Sequence, residues 1–189
     1  MISGVVLAAG TGSRFGGTKQ IAVVDAKPLA QHAIDTLSHA GVDEIVVVTG
    51  HDAVHVAAAL TLPASARIVY NPAFKDGQAT SLAAALHALD DQSEGAVVLM
   101  ADQPGVTADV VRSLMQRFLA TRKQVVRASY RDGPGPSLLS REIYGEAGHL
   151  TGDVGARELI ASHPDWVEEV QVDASAPVDI DEPDDVGSA

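Results

Sequence analysis

The stretch that decides the fold of this chain is Val5-Val6-Leu7-Ala8-Ala9-Gly10-Thr11-Gly12-Ser13-Arg14-Phe15-Gly16-Gly17-Thr18-Lys19. Its first part is a short apolar run, typical of a buried parallel strand, and its second part is a loop with four glycines. The loop also carries two cations, Arg14 and Lys19. Backbone N–H groups of a glycine-rich loop approach phosphate oxygens closely, and neighbouring cations neutralise the phosphate charge. The stretch therefore predicts a nucleotide site.

Two familiar phosphate-binding loops do not fit this stretch. The dinucleotide fingerprint G-x-G-x-x-G matches at Gly10 and Gly12, but Phe15 stands at its third glycine. That fingerprint also expects an acidic residue at the end of the second strand, where residues 48–51 read Val-Thr-Gly-His. The P-loop requires Gly-Lys-Ser/Thr, whereas residues 17–20 read Gly-Thr-Lys-Gln. Both patterns are excluded.

The loop instead resembles the L-A-A-G-x-G-x-R-x-G-x-x-K signature of the sugar-nucleotide-type nucleotidyltransferases. The positions in register are Leu7, Ala8, Ala9, Gly10, Gly12, Arg14, Gly16 and Lys19. Within that superfamily the chain is most similar to the MobA-like branch, and there to the molybdenum cofactor cytidylyltransferases. The resemblance implies that all of these positions except Gly16 bind the nucleotide and that Arg14 and Lys19 are catalytic. Ala8-Ala9 resembles the cytidylyltransferase form of the loop, whereas guanylyltransferases tend to have Leu-Ala-Gly-Gly, so the implied donor is CTP.

The composition limits the classes to which the protein can belong. The chain has 189 residues, of which 46% are apolar and 20% charged, so we expect a single globular domain over residues 1–189. It contains no cysteine, which excludes a disulfide scaffold and thiolate metal sites. A net charge of −12 argues against nucleic acid as a partner. We find no apolar run of membrane-spanning length and no signal peptide, so we expect a cytoplasmic protein.

Strand and helix patterns alternate along the chain. Apolar runs at 44–49, 67–70, 96–100 and 124–130 predict strands, and helical patterns at 29–40, 52–60, 80–89 and 108–121 separate them. This alternation predicts an α/β fold with a single doubly wound, mostly parallel sheet and helices on both faces, a Rossmann-like nucleotidyltransferase fold. Residues 132–136, Asp-Gly-Pro-Gly-Pro, are predicted to form a rigid loop, and a short strand is predicted at 178–180.

Two carboxylates are the predicted metal ligands. Asp102 follows an apolar strand directly, where a carboxylate can hold Mg²⁺ against nucleotide phosphates, and the alternative is that it caps the next helix. The Ala-Asp-Gln-Pro sequence around it resembles the family's metal-binding motif, which implies a catalytic role for Asp102. The acidic tail at 179–185 has the composition of a solvated surface segment. Its Asp-Ile-Asp-x-Pro-x-Asp pattern resembles the segment that supplies the second ligand, which implies Asp181, with Asp179 as the lesser candidate.

Two further segments resemble substrate-binding elements of the same family. Residues 77–82 resemble the G-x-x-x-S-L segment beside the base, which implies that Gly77 and Ser81 bind nucleotide; a plain helix start is the alternative. Residues 151–157 resemble the S-G-D-x-G-A-R element, which implies that Asp153 and Arg157 bind the acceptor, although Asp153 can be only an N-cap. The family's Gly-His-Pro triplet is replaced by Gly-Pro-Ser at 135–137, which puts the acceptor in question.

These patterns lead to one main functional hypothesis and several alternatives. The main hypothesis is an Mg²⁺-dependent nucleotidyltransferase that transfers CMP from CTP to a phosphorylated acceptor, molybdopterin, and releases pyrophosphate. A molybdoenzyme or its chaperone is the corresponding protein partner. The alternatives are a nucleotidyltransferase for another phosphorylated small molecule, a non-catalytic protein that binds the molybdenum cofactor, and an NAD(P)H-using oxidoreductase. The two failed loop motifs weaken the last of these.

Overall fold

A seven-stranded β-sheet lies at the centre of the protein, as seen in a computed structural model that describes residues 1–12, 14–152 and 155–188. The strands are β1 (Ile2–Ala8), β2 (Val23–Val24), β3 (Lys27–Pro28), β4 (Glu44–Thr49), β5 (Ala66–Tyr70), β6 (Gly95–Met100), β7 (Val125–Tyr130), β8 (Gly133–Ser140) and β9 (Val167–Val172). The helices are α1 (Leu29–Ala40), α2 (Ala53–Ala59), α3 (Gln78–Ala88), α4 (Ala108–Thr121), α5 (Tyr144–Gly148) and α6 (Gly155–Ser162). The sheet order is β5-β4-β1-β6-β8-β7-β9, and β2 and β3 form a separate hairpin.

Helices cover both faces of this sheet, so the central strands are apolar on both sides. Along β1, Val6 and Ala8 pack with α1 and α4, whereas Val5 and Leu7 pack with α3 and α6. Successive side chains of a strand point to opposite faces, which is why the run is apolar without alternation. The predicted α/β class, with a mostly parallel sheet and helices on both faces, is confirmed.

The carboxyl ends of β4, β1 and β6 meet at one edge of the sheet. These three strands are parallel neighbours, with Leu7 aligned to Val48 on one side and to Met100 on the other. Backbone bonds continue beyond the strands, because Ala101 N donates to Leu7 O at 3.1 Å and His51 N donates to Ala9 O at 3.2 Å. In sheets of this kind, ligands bind beyond the carboxyl ends of the strands. The fold therefore brings the glycine loop and the residues after β4 and β6 to one place.

The prediction of a loop at residues 132–136 is wrong. Residues 133–140 form β8, which runs antiparallel between β6 and β7. Its pairing with β6 begins only at Ser137, so the part that contains Pro134 and Pro136 is paired with β7 alone. Proline is tolerated at such an unpaired side, because the missing N–H is not needed there. The pairing with β7 also carries a register shift between Arg127 and Ser129, which accommodates the irregular segment.

Two smaller features also differ from the expectations. Residues 178–180 belong to no strand, and Ile180 N donates to Asp102 O, just beyond β6, at 2.9 Å. The β2–β3 hairpin was not predicted, and its turn places Asp25 and Ala26 at positive φ. Among the described residues, no helix has both the length and the apolar character that crossing a membrane requires.

Candidate active site

The glycine loop between β1 and Lys19 is fixed at both of its ends. Gln20, which is 4% exposed, donates from Nε2 to Gly10 O at 2.6 Å. Gly12 has a φ of +59°, and a side chain there would meet Gly17 O at 2.8 Å, so this turn requires glycine. Because the loop folds back on itself, its second half enters a short 3₁₀ turn, Lys19–Ile21, at the edge of the sheet. The Lys19 side chain is thereby directed to the end of β6.

Lys19 lies between the two carboxylates predicted from the sequence. Its Nζ donates to Asp102 Oδ2 and to Asp181 Oδ1, both at 2.8 Å. Arg14 adds a third cation–carboxylate contact, from Nη1 to Asp181 Oδ2 at 3.2 Å. The exposed fraction of the side chain is 12% for Lys19, 23% for Asp102 and 46% for Asp181. The four charged side chains therefore form one cluster, with the ammonium group at its most buried point.

The carboxylates reach this cluster from distant parts of the chain. Asp102 follows the end of β6 after one intervening residue, Ala101. Helix α4 is capped instead by Thr107, whose side chain accepts from Val110 N. Asp181 is held by its neighbour Ile180, which is fully buried against Val24 and Leu29 and bonded to the backbone of Asp102. The acidic tail is therefore packed against the sheet edge at this point and is not a freely solvated segment.

The electrostatics of the cluster favour the charged forms of its residues. Burial by itself lowers the pKa of Lys19, but the hydrogen bonds to Asp102 and Asp181 outweigh it, and the pKa is raised above its ordinary value. The pKa of Asp181 is lowered, first by its hydrogen bond to Lys19 and then by the charges of Lys19 and Arg14. At neutral pH the site therefore presents a protonated amine beside an ionised carboxylate.

Among the described residues, three adjoining cavities lie at this edge of the sheet, and Leu7 and Met100 line all of them. The loop cavity, about 180 Å³, is lined by the glycine loop and the charged cluster. The helix cavity, about 330 Å³, lies between Ala9 and Gly10 of the loop and Gln78 and Ser81 at the start of α3. The proline cavity, about 400 Å³, lies between residues 134–137 of β8 and α6. Three adjoining compartments are suited to a ligand with several chemically different parts.

The structure brings most of the predicted nucleotide-binding residues to these cavities. Leu7, Gly10, Gly12, Arg14 and Lys19 line the loop cavity, and Ala9 and Ser81 line the helix cavity. Ala8 is instead buried on the opposite face of the sheet, with α1 and α4. Gly77 precedes α3 as its N-cap residue and lies against Gly152.

The predicted acceptor-binding residues and Asp179 differ in where the structure places them, and Ser81 has a further contact. Arg157 lines the proline cavity together with Pro136, whereas Asp153 lies outside the described residues. Asp179 is turned away from Lys19, because its Oδ1 accepts from Gln103 Nε2 at 2.7 Å. Ser81 Oγ accepts from the buried amide of Asn71 at 3.0 Å, so it is fixed as well as accessible.

Several residues at the site were not identified from the sequence. Asp52 accepts a hydrogen bond from Thr18 in the glycine loop, whereas its position in the sequence predicts only a helix start. Arg127 and Met100 line the proline cavity, in strands that otherwise contribute to the core. Asp52 could have been identified from the sequence, because it is a carboxylate just beyond the carboxyl end of a predicted parallel strand, where ligands bind in such sheets. Nothing in the local sequence distinguishes Arg127, because its exposure to the cavity depends on which strands flank β7.

Comparison with known proteins gives a consistent picture over nearly the whole chain. Residues 4–167 match the MobA-like NTP transferase domain. The nicotine blue oxidoreductase of Paenarthrobacter nicotinovorans is 31% identical over 176 residues, which cover 88% of this chain and 84% of that protein. The bifunctional protein GlmU of Shouchella clausii is 31% identical over 164 residues, but these cover 85% of this chain and only 34% of GlmU.

Solved structures agree with the sequence comparison. The crystal structure of Rv0371c from Mycobacterium tuberculosis H37Rv has a TM-score of 0.88 and 31% identity to this chain, with 99% of this chain and 95% of that chain covered. The complex of Rv0371c with manganese has a TM-score of 0.84 and 30% identity, with 99% and 96% covered. A relative that shares the fold over nearly the whole chain has therefore been crystallised with manganese.

Proposed function

This chain belongs to the MobA-like NTP transferase family, and on that premise we propose that it transfers CMP from CTP to a phosphorylated small molecule and releases pyrophosphate. The proposed acceptor is molybdopterin, and a molybdoenzyme or its chaperone is the proposed recipient of the product. The loop sequence Ala8-Ala9 supports CTP as the donor. We place this reaction in the cytoplasm, together with its nucleotide substrate.

The single observation that carries the proposal is the position of Lys19 between Asp102 and Asp181. A cationic side chain at 2.8 Å from both carboxylates, under a glycine loop and inside one cavity, combines the groups that phosphoryl transfer requires. Such transfer needs positioning and neutralisation of phosphate charge, and little covalent chemistry from the protein. No hydride acceptor or covalent nucleophile is required at this place.

The two carboxylates also fit the divalent metal that the family implies. Their oxygens already lie around a common cation, and oxygen ligands suit Mg²⁺ and Mn²⁺. Among residues 1–12, 14–152 and 155–188, no group of three or more His, Asp or Glu side chains is placed to hold a metal. Two protein carboxylates are consistent with Mg²⁺, which usually keeps several waters and binds substrate phosphates as well. We propose that Asp102 and Asp181 hold Mg²⁺, which neutralises triphosphate charge when it is bound.

The residues of the chain then have distinct tasks. The N–H groups of the glycine loop and Arg14 bind the triphosphate, and Lys19 donates hydrogen bonds to the α-phosphate, where negative charge develops. An oxygen of the acceptor's phosphate forms a bond to the α-phosphorus of CTP. The bond from that phosphorus to the bridging oxygen breaks, and its electron pair leaves with pyrophosphate. CMP is thereby joined to the acceptor through a new diphosphate linkage.

The three cavities correspond to the parts of such a substrate pair. The helix cavity, with Ser81 and Gln78, lies where the family's base segment is expected, and the loop cavity is suited to the triphosphate. The proline cavity is left for the acceptor, with Arg157 on its α6 wall. Pro136 lines this cavity where the family commonly has histidine, so an acceptor other than molybdopterin is an explicit alternative.

Measuring pyrophosphate release tests the proposal. The protein, Mg²⁺ and each of the four NTPs are combined with molybdopterin or with simple sugar phosphates, and release is expected with CTP and one acceptor class. Asp102→Asn should lower the rate by about 10³-fold, because the site loses a carboxylate that holds the metal, and with it the cation that neutralises phosphate charge. Asp184→Asn is the matched control, since this exposed carboxylate lies in the tail, and its rate should stay within about twofold. Absence of release with every combination, despite binding of the acceptor, would favour a non-catalytic cofactor-binding protein.

One relative supports a second candidate function, reduction of an organic substrate by NAD(P)H. The match to the nicotine blue oxidoreductase covers 88% of this chain. A protein named as an oxidoreductase is therefore similar to this chain over most of its length. The charged cluster at Lys19 does not favour this candidate, because hydride transfer does not need a cation between two carboxylates. Titration with NADPH and NADH decides between the two: binding of either one, displaced by no nucleoside triphosphate, would support the oxidoreductase and count against nucleotidyl transfer.

A further inference from the structure

Asp52 lies beside the glycine loop in an unusual backbone conformation. It follows β4 by three residues, at the carboxyl edge of the sheet, and has φ 51° and ψ 35°. This left-handed conformation is uncommon outside glycine, although aspartate and asparagine tolerate it better than other residues. From this position the carboxylate contacts both the glycine loop, through Thr18, and the first turn of its own helix, through His55.

The carboxylate is used by two partners, one of them in the glycine loop. Thr18 Oγ1 donates to Asp52 Oδ2 at 2.5 Å, and His55 Nδ1 lies 2.5 Å from Oδ1. These contacts lower the pKa of Asp52, with the Thr18 hydroxyl as the largest cause, and keep the carboxylate ionised. Asp52 is the N-cap residue of α2 but makes no side-chain capping bond. The usual structural role of aspartate at this position is thus not filled.

Thr18 connects this carboxylate to the catalytic cluster. It is the N-cap residue of the turn Lys19–Ile21, and Ile21 N donates to Thr18 O at 3.1 Å. A displacement of Thr18 therefore moves the backbone of Lys19. The first part of the loop is tied to the same strand, because His51 N donates to Ala9 O. Consecutive residues after β4 thus hold the loop at its start and at its end.

We propose that Asp52 is a positioning residue that, through the Thr18 hydroxyl, fixes the second half of the glycine loop and thereby the place of Lys19. The effect of Asp52 on catalysis rests on the proposed function, in which Lys19 acts on the α-phosphate. The effect of Asp52 on the order of the loop does not depend on which substrate is bound. Fixing a catalytic group through a second layer of hydrogen bonds reduces the motion that would otherwise weaken its contact with the reacting atoms.

Matched substitutions at both partners separate positioning from a general effect on folding. Asp52→Gly removes the carboxylate but accepts φ 51° without strain, and Asp52→Asn retains both the conformation and an oxygen that can accept from Thr18. Thr18→Val removes the hydroxyl at similar size, and Thr18→Ser retains it. We expect all four variants to melt within a few degrees of the wild type, because Asp52 and Thr18 lie at the surface edge of the loop.

The first readout, hydrogen exchange, needs no nucleotide. Backbone amides of residues 19–22 should exchange about tenfold faster in Asp52→Gly and Thr18→Val, whereas Asp52→Asn and Thr18→Ser should remain close to the wild type. Unchanged exchange in Asp52→Gly would overturn the proposal, and so would equal acceleration in all four variants, because that pattern indicates a general loosening.

The second readout is the affinity for CTP with Mn²⁺, measured by calorimetry. The affinity should fall about tenfold in Asp52→Gly and Thr18→Val and recover in the two conservative variants. Faster exchange with unchanged CTP affinity would overturn the role in positioning Lys19. Failure of the wild type to bind CTP at all would instead refute the proposed function, and the exchange data alone would then decide whether Asp52 orders the loop.

Discussion

Lys19→Met should change metal binding and nucleotidyl transfer in opposite directions. The Lys19 ammonium group donates to the oxygens of Asp102 and Asp181 that we assign to the metal. A divalent cation must therefore displace it. Replacement by methionine retains the length and apolar stem of the side chain but removes the competing charge. We expect tighter Mn²⁺ binding and, at the same time, slower transfer, since the cation at the α-phosphate is lost.

The size of both effects follows from the geometry. A hydrogen bond to a charged group contributes about 1.5–3 kcal/mol, and Lys19 makes two of them at 2.8 Å. The Asp181 side chain is 46% exposed, so solvent screens its contact, and we count only the bond to Asp102. About 1.4 kcal/mol corresponds to a tenfold change, so Mn²⁺ should bind about 10- to 100-fold more tightly. Loss of a donor to the reacting phosphate lowers kcat by about 10²–10³-fold.

Electron paramagnetic resonance of free Mn²⁺ measures the affinity of the nucleotide-free protein, and pyrophosphate release measures transfer. Lys123→Met is the control for net charge, because its ammonium group donates to Asp165 O, away from the cluster. That variant should match the wild type in both assays. Unchanged or weaker Mn²⁺ binding by Lys19→Met would refute the reasoning, since the ammonium group would then not compete for the carboxylates.

Three further predictions concern other parts of the molecule. Arg157→Ala should raise the KM for the acceptor about tenfold and leave the KM for CTP unchanged in steady-state kinetics, and an equal rise in both would contradict its place in the proline cavity. Gly77→Ala should destabilise the protein by about 3 kcal/mol and lower the melting temperature by about 6–12 °C in calorimetry. The reason is that Gly77 has a φ of +110° and a methyl group there would overlap the Gly152 carbonyl. A melting temperature within about 2 °C of the wild type would show that the backbone at Gly152 moves aside at little cost. Burial raises the pKa of Tyr144 from 10.0 to about 12. The free energy of unfolding should therefore fall by about 3 kcal/mol as the pH rises from about 10 to about 12, and Tyr144→Phe should remove that decline in urea titrations. The same alkaline decline in Tyr144→Phe would assign it to other groups.

The apolar and charged patterns allowed the fold class and most of the charged cluster to be predicted. A strand buried on both faces must be apolar throughout, so β1, β4 and β6 are visible as runs of valine and leucine. Residues at the carboxyl ends of neighbouring parallel strands must meet, which brought Asp102 to the glycine loop in the prediction and in the structure. The MobA-like family, predicted from residues 7–19, is confirmed by the match over residues 4–167.

The parts that were not predicted depend on contacts between segments far apart in the chain. Gly133–Ser140 forms a strand despite two prolines, because β6 and β7 flank it and only its second half needs pairing on both sides. Local propensity indicates a loop there, and tertiary pairing overrides it. The contact between Thr18 and Asp52 likewise requires that β4 lie beside β1, which is a property of the sheet order.

The stretch from Val5 to Lys19 therefore determined by itself that the chain has a buried strand, a phosphate-type loop and two cations at its end. These properties are local, since they depend on side-chain polarity and on the backbone freedom of glycine. Only the tertiary structure decided what Lys19 contacts. Its partners are 83 and 162 residues away along the chain, and the packing of Ile180 against Val24 and Leu29 brings the second of them to the site. Distances of that kind are set by the packing of the whole core and are absent from any local pattern.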